Sequence, residues 1–220
     1  MSKTKATVVA VFAALMLSMV GAASASAAQN WFITGTELKA GTNELLANTA
    51  AVDEDAVLNA PGLTLKVTCN SNILGGSKAE IEGGTAMGQA EALEFNGCTE
   101  LTPPNCNLVS SIIRTHPLLV LLLFTRRFPY ISITFHLKTG NLFTELEFGG
   151  GTCPFAGAQG VKGSILIGAP TGGSEEVLQA IEGQGTTENN SLEIDGQKAY
   201  LEGGKALLKL ASGLKWSFRE

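Results

Sequence analysis

The sequence is poor in the side chains that most enzyme chemistry uses. A chain of 220 residues holds two histidines, His116 and His136, and three aspartates, Asp53, Asp55 and Asp195. A Ser-His-Asp mechanism needs a histidine base held by an acidic partner, and a hydrolase elbow needs a GxSxG turn to expose its serine. His116 precedes Pro117, His136 lies in a strand-like stretch, and no GxSxG occurs. The four cysteines are separated by 28, 7 and 46 residues, so the close CxxC pair typical of a zinc site is missing. Asp53-Glu54-Asp55 lacks the spaced oxygen ligands and the glycine of a calcium loop. None of the Gly-Gly pairs leads into the Gly-Lys-Ser/Thr of a phosphate loop. No metal and no cofactor is therefore expected.

Basic charge is also scarce. Fifteen Lys and Arg stand against twenty Asp and Glu, a formal charge of −5. Without Lys3 and Lys5, thirteen basic and twenty acidic residues remain, a charge of −7. That balance argues against a nucleic-acid partner, which requires a basic footprint, and against electrostatic attachment to anionic membranes.

What is present begins at the N-terminus. Lys3 and Lys5 precede a run from Ala6 to Ala23 that is apolar apart from Thr7, Ser18 and Gly21. Small residues follow, and Ala25-Ser26-Ala27 fits a small-x-small cleavage site. Residues 1–27 are read as a signal peptide and residues 28–220 as one exported domain. Its 193 residues suffice for a single core, and no stable membrane insertion is expected after cleavage.

In an exported chain an even number of cysteines reads as disulfides. Three connectivities are open for Cys69, Cys98, Cys106 and Cys153. The preferred one joins Cys98 to Cys106 across a short Pro-containing loop and Cys69 to Cys153 over a long one.

Residues 28–220 read with period two between glycines, the mark of half-buried strands. Leu65, Val67 and Cys69 alternate with Lys66 and Thr68, and Thr144, Leu146 and Phe148 with Glu145 and Glu147. Val161, Gly163, Ile165 and Ile167 read as one strand. Thr42–Ala51 and Ser174–Ile181 have some helical character and are read as strands. Asp195-Gly196 predicts a two-residue hairpin turn, and Gly203-Gly204 a further turn. The segment Lys78–Met87 echoes Lys198–Leu207, each reading as strand, Gly-Gly, strand. The run Leu118–Phe124, ended by Arg126 and Arg127, reads as a strand buried on both faces. The expected fold is all-β, an antiparallel sandwich or barrel-like domain of many short strands.

Two tryptophans lie near opposite ends of the exported part. Core packing between paired terminal strands is the plain reading of Trp31 and Trp216; a stacking platform for sugar rings is the functional one. Glutamates such as Glu80, Glu82, Glu145 and Glu147 alternate with apolar residues, so the sequence singles out no carboxylate pair for glycoside hydrolysis.

The chain resembles a group of uncharacterised secreted proteins of soil actinobacteria. The resemblance rests on Asn30–Leu38 after the Ala/Ser-rich cleavage region, Leu65–Cys69, Gly97-Cys98 with Cys106, Pro154–Ser164, and the terminal Gly-Gly segment leading to Trp216. It implies a secreted β-rich protein and carries no activity or functional residues. The resulting expectation is a non-catalytic extracellular or wall-associated protein, with cell-wall or other extracellular polysaccharide as its partner; the alternative is a secreted polysaccharide hydrolase or carbohydrate-binding module.

Overall fold

A computed structural model describes residues 29–48, 55–124, 131–184 and 191–219. The signal-peptide residues, Asp53, Glu54, Arg126 and Arg127 lie outside them. The described residues form nineteen strands and one short 3₁₀ turn. In chain order the strands are β1 (Asn30–Ile33), β2 (Thr36–Glu37), β3 (Asn43–Asn48), β4 (Ala56–Ala60), β5 (Leu65–Cys69), β6 (Ser71–Glu82) and β7 (Met87–Asn96). Next come β8 (Thr99–Thr102), β9 (Asn107–Leu108), β10 (Ile112–Arg114), β11 (Leu118–Phe124), β12 (Ile131–Leu137) and β13 (Thr144–Gly149). The last are β14 (Gly157–Lys162), β15 (Ile165–Gly168), β16 (Gln179–Gln184), β17 (Leu192–Ile194), β18 (Gln197–Leu210) and β19 (Trp216–Arg219).

The pairings close a ring. Strands run in the order β16-β15-β12-β11-β7-β6-β3-β18, and β18 pairs back to β16, so eight antiparallel strands form a barrel without an open edge. A second layer grows from the first half of β18, which pairs with β17 along one edge and β4 along the other. From there β4-β5-β8 and β17-β14-β13-β9 extend outward. A third, three-stranded sheet, β19-β1-β2, caps one end of the barrel.

Alternation explains most of these strands. In β5 Leu65, Val67 and Cys69 are buried and Lys66 and Thr68 half-buried; in β13 Thr144, Leu146 and Phe148 are buried and Glu145 and Glu147 exposed. Thr42–Ala51 contains β3, as its strand reading required. At Asp195-Gly196 both residues have positive φ, 47° and 72°, and the chain turns from β17 into β18.

Four expectations need correction. Gly203-Gly204 makes no turn. Both have positive φ, but β18 runs on through them, and Gly204 donates its N–H to the Asp55 carbonyl where the strand passes from the second layer into the barrel. A Cβ on Gly203 would sit 2.4 Å from that carbonyl oxygen, so the approach requires glycine. Val161 and Ile165 belong to different strands in different layers, separated at Gly163, because Ser164 and Ser191 hold the crossing by hydrogen bonds. Ser174–Leu178 lies outside the named strands, and β16 begins only at Gln179. Finally, β11 is buried on one face: Leu118, Val120 and Leu122 point into the barrel, whereas Leu119 and Leu121 are half-exposed and Leu123 exposed. The barrel wall has one interior side, so an unbroken apolar run still alternates.

The disulfide pairing also differs from the preferred one. Cys69 bonds to Cys98, and Cys106 to Cys153. β8 returns along β5 with Thr68 opposite Thr99, which places Cys69 directly across from Cys98. β9 pairs with β13 through Asn107 and Gly149, which brings Cys106 to the turn after β13, where Cys153 donates its N–H to Gly150. A short loop invites a local bridge, but strand pairing decides which sulfurs meet. With loops of 29 and 47 residues, the chain-entropy model assigns each bridge about 3.5–4 kcal/mol.

Digestion of the unreduced protein with trypsin and a glutamate-specific protease, which cuts between Cys98 and Cys106 at Glu100, is expected to yield Cys69–Cys98 and Cys106–Cys153 crosslinked peptides by mass spectrometry. Recovery of a Cys98–Cys106 peptide would contradict this topology.

Candidate functional site

The two tryptophans are not a platform for sugars. Each is 1 % exposed. β1 and β19 pair in register, Asn30 opposite Arg219 and Ile33 opposite Trp216, so the first and last strands of the described chain are neighbours. Trp31 lies edge-on to Phe218 at 5.3 Å and tilted to Trp216 at 6.1 Å, and its Nε1 donates to the Met87 carbonyl at 2.7 Å. Gly172 lies so close beneath the Phe218 ring that a Cβ there would collide with it at 1.8 Å. Gln179, with no exposed surface, locks the same end. Its Nε2 donates to the Ser174 and Trp216 carbonyls at 2.8 and 2.6 Å, and its Oε1 accepts from Thr171 Oγ1 at 2.8 Å. A buried amide with its hydrogen-bonding groups occupied holds the cap sheet to the barrel as firmly as an apolar contact would.

Leu118, Val120, Leu122, Ile133 and Phe135 of the barrel strands belong to the buried apolar core. The space between barrel and second layer, lined by residues such as Ala56, Leu58, Phe95, Phe143 and Leu201, amounts to ≈ 30 Å³. Its walls are apolar and its volume is near that of one or two water-sized probes, so it accommodates no organic ligand.

The concave polar surfaces are on the outside. One groove of ≈ 190 Å³ crosses β6, β7 and the adjoining ends of β11 and β12, lined by Lys78, Glu80, Gln89, Glu91, Pro117 and Lys138. Glu80 faces Gln89 in the β6–β7 register, and Lys78 and Glu91 line the same groove. Gln89 donates Nε2 to Glu80 and accepts at Oε1 from Lys138 Nζ. The outcome is a carboxylate–amide–ammonium row flanked by a second ammonium and a second carboxylate. A second groove of ≈ 260 Å³ lies on the second layer along Gln159, Lys162, Glu193 and Asp195. There Lys162 faces Glu193, which in turn faces Lys198. Both arrangements provide hydrogen-bond donors and acceptors for a polar ligand and contain no cysteine, serine or histidine to act as a nucleophile or base.

No protein-family model, no curated protein and no solved structure matches the chain. Its chemistry is therefore read from its own residues.

The remaining sequence candidates are scattered. His136 Nε2 lies 3.1 Å from Thr134 Oγ1 on the outer barrel wall, His116 is exposed, and Asp195 occupies its hairpin turn, so these residues do not assemble a triad. Glu175 pairs with Arg219 at 3.4 Å, and that guanidinium also sits 5.3 Å from the Phe32 ring. Among the described residues no three of His, Cys, Asp and Glu cluster as a metal would require. The groove row was missed by sequence reading because Lys78 and Lys138 lie far apart along the chain, and each charge taken alone resembles an ordinary solvated strand face.

The carboxyl of Glu100 is perturbed. Partial burial of Glu100 in β8 raises its pKa above 4.5, since desolvation disfavours the carboxylate. The folded state then binds the proton more tightly than the unfolded one. This group's contribution is most favourable when it is protonated, and it weakens as pH rises from the ordinary carboxylate range through the raised value. Glu100→Gln is expected to raise Tm at neutral pH, with the gain vanishing at acid pH; a gain equal at both would refute the desolvation reading. Trp31→Ala is expected to destabilise by about 3–5 kcal/mol in urea titrations, the usual cost of truncating a buried tryptophan.

Proposed function

We propose that this chain is an exported, non-catalytic β protein of the cell exterior that acts through its outer surface, as a structural or interaction module. The observation that carries the reading is the state of the cysteines: all four are buried and joined in two disulfides. Such bridges persist in oxidising compartments and are rare in the cytosol. The N-terminal basic residues, apolar run and Ala25-Ser26-Ala27 support export, with Ala28 as the first residue of the exported form. The resemblance to uncharacterised secreted proteins of soil actinobacteria points the same way. No helix among the described residues is long and apolar enough to cross a membrane.

The partner proposed is a hydroxyl-rich polymer of the wall or extracellular matrix, met at the polar grooves rather than by stacking on Trp31 and Trp216. A neutral glycan suits the groove at Gln89, where an amide, carboxylates and ammonium groups lie side by side. The competing reading, a polysaccharide hydrolase, needs two carboxylates facing across a cleft with one held protonated. Glu80, the carboxylate best placed in that groove, is instead engaged by the Gln89 amide.

Fractionation of cells that make the protein tests the proposal. The expected result is recovery in the medium or wall fraction, an N-terminus at Ala28, and no thiol reactive to alkylation after denaturation without reductant. A cytosolic chain with four free thiols would overturn it.

A further inference from the structure

The core accounts for only half of the apolar run in β11. Leu118, Val120 and Leu122 face into the barrel, so Leu119, Leu121 and Leu123 face out of it. At its outward positions β6 carries Lys78, Glu80 and Glu82 instead. Strand register fixes what the three leucines meet. Leu121 stands opposite Met87 of β7 on one side and Thr134 of β12 on the other, and Thr134 stands opposite Leu166 of β15. Leu123 stands opposite Ser132. Met87, Leu119, Leu121 and Leu166 are half-buried and Leu123 is 40 % exposed, while Thr134 and Ser132, small side chains set among larger ones, are buried. An apolar stripe thus runs along the outer wall across β7, β11, β12 and β15.

This stripe begins at the polar groove. Leu119 stands opposite Gln89, the central amide of the groove, and two residues along the chain from Pro117, which lines it. From Leu119 to Leu123 the strand rises about 13 Å. The groove presents two ammonium groups, Lys78 and Lys138, and two carboxylates, Glu80 and Glu91, a balance that suits a ligand without net charge. Gln89, Glu80 and Lys138 bond to one another, yet an amide, a carboxylate and an ammonium each keep further hydrogen-bonding capacity.

We propose that groove and stripe form one site for a neutral amphiphile, a sugar head group carrying an alkyl or acyl chain. The proposal rests on the glycan reading of the groove and adds a chain-binding half to it. Hydroxyls of the head group hydrogen-bond at Gln89, Glu80 and Lys138, and the chain lies along Leu119, Leu121 and Leu123. Removal of those leucines from water supplies an attraction that a bare glycan lacks. The open wall covers one side of the chain, so each methylene contributes about half its full transfer value, roughly a twofold gain in affinity.

The purified, oxidised protein is titrated calorimetrically with maltose, octyl maltoside and decyl maltoside, the last two below their micelle-forming concentrations. Decyl dimethylamine oxide provides the same chain without a sugar. Decyl maltoside is expected to bind roughly fourfold more tightly than octyl maltoside, and more tightly than maltose or the amine oxide. Leu121→Ser/Leu123→Ser is expected to lose roughly tenfold in affinity for decyl maltoside. Val109→Ser/Ile112→Ser, which alters exposed aliphatics around the turn from β9 to β10, is expected to lose none. Thermal unfolding checks that each variant is folded. No binding of either maltoside, or equal affinity for both, overturns the proposal. Equal binding of the amine oxide does so too, because it marks an unselective apolar surface, as does a folded leucine variant that binds like the wild type. The chain-length comparison uses the wild-type protein and decides the matter even where a variant fails to fold. Maltose bound as tightly as decyl maltoside removes the amphiphile and leaves the proposed function standing.

Discussion

The hydrogen bonds of β18 constrain the rest of the molecule. Its fourteen residues pair with β17 and β16 along one edge and with β4 and β3 along the other. The β16 pairing closes the barrel, and the β17 and β4 pairings start the two arms of the second layer. A strand serving two layers must change direction between them, and Gly203-Gly204 makes that change with two positive-φ residues while the ladder continues. A Cβ on Gly203 would collide with the Asp55 carbonyl, so the two layers meet at a backbone approach that only glycine allows.

Closure of the barrel leaves its ends to be sealed, and the two ends of the chain seal one of them. β1 and β19 bring Trp31, Trp216 and Phe218 together, and Gln179 binds the pair to the barrel. This arrangement consumes the aromatic side chains that a sugar-binding platform would need. The outer wall carries a polar groove instead, lined by Lys78 and Glu80 of β6, Gln89 of β7 and Lys138 just after β12. The two disulfides hold the second layer, where short strands such as β8 and β9 contribute few ladder hydrogen bonds of their own. The barrel strands carry no bridge and rely on their closed ladder and apolar interior.

Local pattern was a good guide wherever one side chain's neighbours along the strand determine its fate. The alternation in β5 and β13, the strand at β3 and the Asp195-Gly196 hairpin were legible because period two and positive-φ tolerance are properties of adjacent residues. The echo between Lys78–Met87 and Lys198–Leu207 shows where that guide ends. Gly83-Gly84 turns the chain from β6 into β7, whereas Gly203-Gly204 lies within an unbroken β18. The dipeptides are identical, and the difference comes from the partner strands beside them. The candidate grooves were illegible for a related reason: cross-strand neighbours such as Glu80 and Gln89 are defined by register, and Gln89 and Lys138 by the curvature of the wall.

The amino-acid sequence alone determined the all-β class, the abundance of short strands, the one-sided burial of the regular ones and the scarcity of catalytic side chains. Each follows from composition and spacing along the chain. Tertiary structure decided the ring closure, the partners of the four sulfurs, the burial of Trp31 and Trp216, and the grouping of charges into grooves. These depend on which strands lie side by side, and pairing energy is gained between residues tens of positions apart, where the order of residues in one strand holds no record of the other.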